Sequence, residues 1–255
     1  MYKRQIYPSL IGKKVFITGG ATGIGEFLVK AFCAQGANVG FIDINASAGQ
    51  GLVKFIKDEI NENVWFREVD VRDVTALQRT VNDCNSELGG LDVLVNNVAN
   101  DTRHNPLEVT QDSWRECLSV NLDSAFFASQ AAIKIMQEAG SGSIINFSSI
   151  NAHLAPANMP GYVSAKAALL GLTKALAKEY GPSGIRANCI LPGWVVTERQ
   201  LEKWLTPEAE QAWMEGTPLK SRILPDDVAN LALFLGAEDS RMITSQEFVI
   251  DGGHI

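Results

Sequence analysis

The sequence lacks the features that mark several large classes of protein. No stretch approaches the roughly 20 apolar residues that a membrane-spanning helix needs. Met1 to Leu10 lack the apolar run of a secretory signal. Basic residues are outnumbered, 22 Lys and Arg against 29 Asp and Glu, and the net charge of −7 argues against non-specific binding to nucleic acid or to an anionic membrane. Cysteine is scarce and scattered: Cys33, Cys84, Cys117 and Cys189 form no CxxC pair, so buried or half-buried thiols are expected rather than a metal or redox motif. No two of His104, His153 and His254 share metal-ligand spacing, and no metal is expected. Repeats, low-complexity tracts and linkers are also missing. A cytoplasmic protein is the default expectation.

What is present is ordinary in bulk and specific in detail. Apolar residues make up 46% of the 255 and charged residues 20%, as in a soluble globular protein. The first five residues, Met1-Tyr2-Lys3-Arg4-Gln5, look like a non-native leader and carry no expectation of fold. Beyond them, strand signals alternate with helix signals. Short β-branched or apolar runs stand at 14–18, 39–43, 64–70, 91–97, 143–149, 185–191 and 247–251. From Gly23 the period changes, and Ile24, Phe27, Leu28, Ala31 and Phe32 share one helix face before Gly36 closes it. Further helices are clearest at 110–139 and 162–180. Alternation of this kind implies βαβ units, hence a single-domain Rossmann fold: a doubly wound seven-stranded parallel sheet with helices on both faces. An insertion at 194–224, rich in Trp, Glu and Pro, follows the sixth strand, where a lid over a ligand would sit.

Thr18-Gly19-Gly20-Ala21-Thr22-Gly23-Ile24-Gly25 lies between a predicted strand and a predicted helix. There glycines permit a tight turn, close approach of backbone to a pyrophosphate and close packing of helix on strand. The helix N-terminus adds free N–H groups and a positive dipole end. Asp43 ends the second strand about 20 residues on, where a carboxylate receives the adenosine ribose hydroxyls. Its charge repels the extra phosphate of NADP, and neither Ala21 nor Ile44 offers a cation to receive that phosphate. The expected cofactor is NAD.

Tyr162 and Lys166 are four residues apart and share a helix face. An ordinary tyrosine, with a pKa near ~10, is a poor base at neutral pH. A nearby ammonium favours the phenolate and draws that value down towards the range in which general base catalysis is efficient. Ser149 is placed to hydrogen-bond a substrate oxygen as it becomes a carbonyl.

Together these segments resemble the classical short-chain dehydrogenase/reductase family, from about Leu10 to Ile255. The resemblance rests on the glycine pattern, Asp70-Val71, Asn96-Asn97-Val98-Ala99, Ser119-Val120-Asn121-Leu122, Ser149, Tyr162-Val163-Ser164-Ala165-Lys166 and Pro192-Gly193 with Val195 and Thr197. It implies that Asn121, Ser149, Tyr162 and Lys166 are catalytic, Asn121 holding a water that links Lys166 to solvent. It also implies a cofactor site of Gly19, Thr22, Gly23, Ile24, Gly25, Asp43, Asp70, Val71, Asn97, Ala99, Tyr162, Lys166, Pro192, Gly193, Val195 and Thr197. Val98 and Ala99 depart from the family's usual Asn-Asn-Ala-Gly.

Five polar residues in a row, Asn100 to His104, follow the fourth strand at the sheet edge where ligands bind, and suit a polyhydroxylated substrate. The alternative is a solvated loop in which Arg103 and Asp101 pair. Trp204 is placed to lie against a sugar ring while Gln200 bonds its hydroxyls. These segments are similar to those of bacterial aldose 1-dehydrogenases of the family, which oxidise an anomeric hydroxyl to a lactone. The similarity implies NAD-dependent oxidation of a pentose or 6-deoxyhexose, with Asn100, Arg103, Ser149, Asn151, Tyr162, Gln200 and Trp204 as substrate contacts. His153, just beyond Ser149, borders the same cleft in this reading, bonding a hydroxyl or packing. Other polyol, keto-sugar or 3-oxoacyl chemistry and a non-catalytic NAD-binding regulator are the alternatives. A homotetramer is expected, pairing through the two long helices, whose Ala125, Ala128, Ala131, Ala132, Ala165, Ala167, Ala168 and Gly171 permit close contact.

Overall fold

The computed structural model describes residues 5–60 and 63–255, so Met1 to Arg4 of the expected leader lie outside the described residues. Strands β1 (Lys14–Thr18), β2 (Asn38–Asp43), β3 (Val64–Glu68), β4 (Val93–Asn96), β5 (Gly142–Phe147), β6 (Ile185–Pro192) and β7 (Glu247–Ile250) form a seven-stranded parallel sheet. Its order is β3-β2-β1-β4-β5-β6-β7, the expected doubly wound arrangement. Successive residues of a strand point to opposite faces. Val15 and Ile17 therefore join one core, with α1 (Gly23–Ala34), α2 (Ala46–Glu59) and α10 (Pro225–Gly236). Phe16 between them joins the other, with α3 (Val74–Leu88), α5 (Ser124–Ala139) and α7 (Pro160–Tyr180). Each fully buried Val, Leu, Ile or Phe stabilises the sandwich by roughly 1.5–3 kcal/mol, so both faces of the sheet must be covered.

Two expectations need correction. The helix expected over 110–139 is broken into α4 (Gln111–Leu118), a π turn (Ser119–Asp123) and α5. Its side chains compete for the backbone there: Ser119 Oγ donates to Glu116 O, Asn121 Nδ2 to Cys117 O and Ser124 Oγ to Val120 O. Turns of this kind occur often at functional sites. The alanines chosen for pairing between subunits are also placed differently. Ala125, Ala128, Ala131, Ala132 and Ala165 are buried in the chain's own core, on the faces of α5 and α7 that lie against the sheet. Ala167, Ala168 and Gly171 are exposed.

After β5 comes the short α6 (Asn151–Leu154), and after β6 the insertion folds into α8 (Glu198–Lys203) and α9 (Pro207–Gly216), outside the sheet. Trp213 of α9 stacks on His254 at 3.6 Å, and His254 Nδ1 is 3.0 Å from Thr217 Oγ1, so the chain end holds the second insertion helix. The four cysteines are buried or half-buried. Among the described residues no helix is long and apolar enough to cross a membrane, and no three His, Cys, Asp or Glu are placed to share a metal ion.

Candidate active site

The strand order reverses between β1 and β4, and a crevice opens beyond their carboxyl ends. The glycines after β1 make its floor. Gly19 and Gly23 hold φ of +66° and +56°, where a side chain is strained. A Cβ on Gly25 would stand 1.8 Å from the Gly19 carbonyl oxygen. The loop therefore packs directly on the start of α1, leaving the N-terminal N–H groups of that helix facing the crevice. Across it, Asn97 Nδ2 donates to the Thr18 and Gly19 carbonyls at 3.1 and 2.9 Å. Its side chain thus ties the end of β4 to the glycine loop.

The crevice has a volume of about 760 Å³. Every residue expected to hold a dinucleotide lines it: Gly19, Thr22, Gly23, Ile24, Gly25, Asp43, Asp70, Val71, Asn97, Ala99, Tyr162, Lys166, Pro192, Gly193, Val195 and Thr197. At the β2 end, Asp43 accepts from the backbone N–H of Ala21 at 3.0 Å and of Asn45 at 2.9 Å, which fixes its carboxylate beside the glycine loop. Arg72 grips the Asp70 carboxylate through Nε and Nη2 and holds it below the usual carboxylate range. The same guanidinium reaches Glu116 at 2.7 Å. Sequence reasoning missed Arg72 and Glu116 as wall residues, because nothing local links β3 to α4.

Ser149, Tyr162 and Lys166 line the same space, at the ends of β5 and α7. Tyr162 is 8% exposed and Lys166 1%. Burial pushes the Tyr162 phenol up to about 12, against a smaller opposing pull from its hydrogen bond with Ser149. This reverses the direction expected from the spacing of Tyr162 and Lys166. The Lys166 ammonium donates to the Phe147 carbonyl at 2.7 Å and lies 5.6 Å from the centre of the Tyr162 ring, so burial prevails. Burial also draws Lys166 down to about 8.

Asn121 does not line the crevice. Its Oδ1 accepts from the N–H of Asn100 at 2.8 Å, and its Nδ2 donates to the carbonyls of Asn100 and Cys117 at 3.1 and 2.9 Å. These bonds make the side chain a tie that positions the loop after β4.

The expected substrate residues divide. Asn100, Ser149, Tyr162 and Gln200 line the crevice; Arg103, Asn151, His153 and Trp204 do not. His153 faces Glu247 instead, its Nε2 3.4 Å from the carboxylate, so it does not border the cleft as expected. A face of Trp204 expected to meet a sugar is occupied by the Arg103 guanidinium, 4.0 Å from the ring centre. The pairing of Arg103 with Asp101 is likewise replaced. Asp101 accepts from Arg199 Nη2 at 3.0 Å and from Gln200 Nε2 at 2.9 Å, latching the loop after β4 to α8. Sequence reasoning missed Asp101 and Arg199 as site residues; the signal available for Asp101 was its place in the polar run.

A glycine-floored crevice at the switch point of a parallel sheet, beside a buried tyrosine, lysine and serine, defines an oxidoreductase of the Rossmann type. A family model described as "Enoyl-(Acyl carrier protein) reductase" matches residues 19–254. The chain is 43% identical over 248 residues to a D-xylose 1-dehydrogenase of Caulobacter vibrioides, covering 97% of this chain and 98% of the relative. It is 43% identical over 247 residues to a "Probable galactose dehydrogenase" of Rhizobium meliloti, covering 97% and 96%. A 7α-hydroxysteroid dehydrogenase solved with NADH and 7-oxo glycochenodeoxycholic acid superposes with a TM-score of 0.91 at 32% identity, over 97% of this chain and 96% of that one. The chain belongs to the short-chain dehydrogenase/reductase family, as the sequence motifs implied, and is an enzyme that acts on CH–OH groups.

Proposed function

We propose that the protein oxidises the anomeric hydroxyl of an aldose to a lactone, with NAD as hydride acceptor. The observation that carries this reading is the joining of Ser149, Tyr162 and Lys166 to a polar wall of Asn100, Asp101 and Gln200 in one crevice. The likeness to two sugar dehydrogenases supports it. Asp43 supports NAD over NADP, because the extra phosphate on the adenosine ribose of NADP would be repelled beside that carboxylate.

NAD, when bound, would supply the electrophilic nicotinamide ring that accepts the hydride. Gly19 to Gly25, with the N-terminus of α1, would hold its pyrophosphate; Asp43 would hold the adenosine ribose; Pro192, Gly193, Val195 and Thr197 would flank the nicotinamide. Tyr162 Oη takes the proton of the substrate hydroxyl, and Ser149 Oγ donates to the oxygen that becomes the carbonyl. A phenol at about 12 keeps its own proton at neutral pH, so Tyr162 serves as the base only as the phenolate, once that proton has passed to solvent. The Lys166 ammonium, 5.6 Å from the centre of the Tyr162 ring, favours that phenolate. Chemistry of this kind needs a dry site, and α8 latched to Asp101 supplies the cover.

The subunits are proposed to associate as a tetramer through the outer faces of α5 and α7, where Phe126, Ala167, Ala168 and Gly171 are exposed. Light scattering tests that: a particle of about 28 kDa, the monomer mass, refutes it. The activity is tested by NADH formation from NAD with a panel of pentoses, hexoses and 6-deoxyhexoses, with NADP in parallel. Turnover on an aldose with NAD supports the reading. Silence on every aldose refutes the lactone chemistry and leaves the family assignment intact.

A further inference from the structure

The substrate side of the crevice has an uneven charge. Asp101, Glu198 and Glu202 line it with one cation of α8, Arg199, while the Lys166 ammonium lies at the reacting end. Glu198 and Glu202 are exposed, where water and salt weaken their fields. Asp101 is different: its side chain is 24% exposed and its position is over-determined. Trp194 Nε1 donates to Gln200 Oε1 at 2.8 Å, which turns the amide so that Gln200 Nε2 donates to Asp101 Oδ2 at 2.9 Å. Arg199 Nη2 donates to Asp101 Oδ1 at 3.0 Å and to Asn100 Oδ1 at 3.2 Å. An ionised carboxylate can accept about four hydrogen bonds, so Asp101 keeps acceptor capacity for a ligand. The same charge is felt at Tyr162, whose phenol it helps to raise. Asp101 therefore stands within electrostatic reach of the reacting oxygen.

We propose that Asp101 determines specificity at this site: its carboxylate accepts hydrogen bonds from hydroxyls of an uncharged substrate and rejects substrates that carry a negative charge. This rests on the reading of the crevice as the site of alcohol oxidation, and names the substrate class as neutral polyols. A carboxylated or phosphorylated sugar would bring a like charge beside a partly buried carboxylate whose one cation, Arg199, is already engaged. A neutral polyol meets only a well-held acceptor. A latch without a role in recognition predicts variants that leave the preference unchanged.

The test compares a neutral and an anionic member of two pairs, D-galactose with D-galacturonate and cyclohexanol with 4-hydroxycyclohexanecarboxylate. The value of kcat/KM is measured with NAD for the wild type, Asp101→Asn and Arg199→Gln. NADH fluorescence titration verifies that both variants keep the cofactor site. The wild type should prefer the neutral member of each pair it oxidises. Asp101→Asn should narrow that preference by roughly tenfold, whereas Arg199→Gln, which bares the carboxylate, should widen it. Both changes should shrink as salt rises. Two variants that move the preference in the same direction, or not at all, overturn the proposal and leave Asp101 a latch. A wild type that prefers the anionic member overturns it outright. Oxidation of cyclohexanol with every aldose of the panel inert counts against the aldose reading alone, and the second pair still tests Asp101. Inertness towards cyclohexanol and every aldose of the panel overturns both.

Discussion

The Lys166 ammonium rests on the Phe147 carbonyl at 2.7 Å, at the end of β5, and not on the Tyr162 hydroxyl. The site thus stores a buried cation held by a backbone carbonyl. Burial draws Lys166 from 10.5 to about 8. The unfolded lysine keeps its proton up to the higher value, so between the two the unfolded state binds more protons. The cost of burying the ammonium is therefore fully present below about 8 and is relieved as pH rises towards 10.5.

Replacing Lys166 by Met should remove that cost together with the activity. At pH 7 the variant is expected to melt higher, by a few °C, for a gain on the order of 1–3 kcal/mol. The difference should close by about pH 10, and NADH formation should be lost. Melting curves across pH check the sign; a variant less stable than the wild type at pH 7 would refute the account.

Tyr162→Phe removes one buried hydroxyl and keeps the ring. Its kcat should fall by roughly 10²–10⁴, the usual contribution of a positioned general base. NADH should still bind, since the glycine loop and Asp43 are untouched. Turnover that survives at the wild-type level would exclude Tyr162 as the base.

Asp43→Ser keeps a short acceptor for the Ala21 and Asn45 N–H groups and deletes the charge. The ratio of kcat/KM for NADP over NAD should rise by roughly tenfold, the equivalent of about 1.4 kcal/mol. An unchanged ratio would mean that cofactor choice is set elsewhere in the crevice.

Gly25→Ala forces a Cβ towards the Gly19 carbonyl oxygen, a backbone atom that can yield only by moving the loop. Overpacking of this kind costs roughly 1–3 kcal/mol, so the melting temperature should drop by several °C and NADH affinity should fall with it. Gly51→Ala, in α2, is the control. Nothing lies within 4 Å of its Cβ, and an alanine in a helix interior should raise stability by roughly 0.5–1 kcal/mol. Equal losses in both variants would refute the packing argument.

Much of the site is legible in the amino-acid sequence. Tyr162 and Lys166 stand out by a four-residue spacing on one helix, and the loop from Gly19 to Gly25 by its place between a strand and a helix. Both are local patterns, and both line the crevice as their motifs imply. The π turn at Ser119–Asp123 is not legible, because helix-forming and side-chain hydrogen bonds compete there within a few residues and their balance is settled by packing. His153 departs from expectation for a related reason. Proximity in sequence to Ser149 says nothing of its direction, and Glu247, on another strand, claims the imidazole.

The sequence by itself determined the alternation of strand and helix, the parallel sheet and the chemical groups around the cofactor crevice. Each of these follows from side-chain periodicity or from short motifs, whose physics acts between near neighbours. Only the tertiary structure decided that Asp101 pairs with Arg199 instead of Arg103, that Arg103 covers Trp204, and that burial outweighs Lys166 at the Tyr162 phenol. Asp101 and Arg199 are separated by 98 positions. Contacts at that range, and the dielectric around a buried group, depend on which surfaces the folded core brings together, and no local pattern in the chain encodes them.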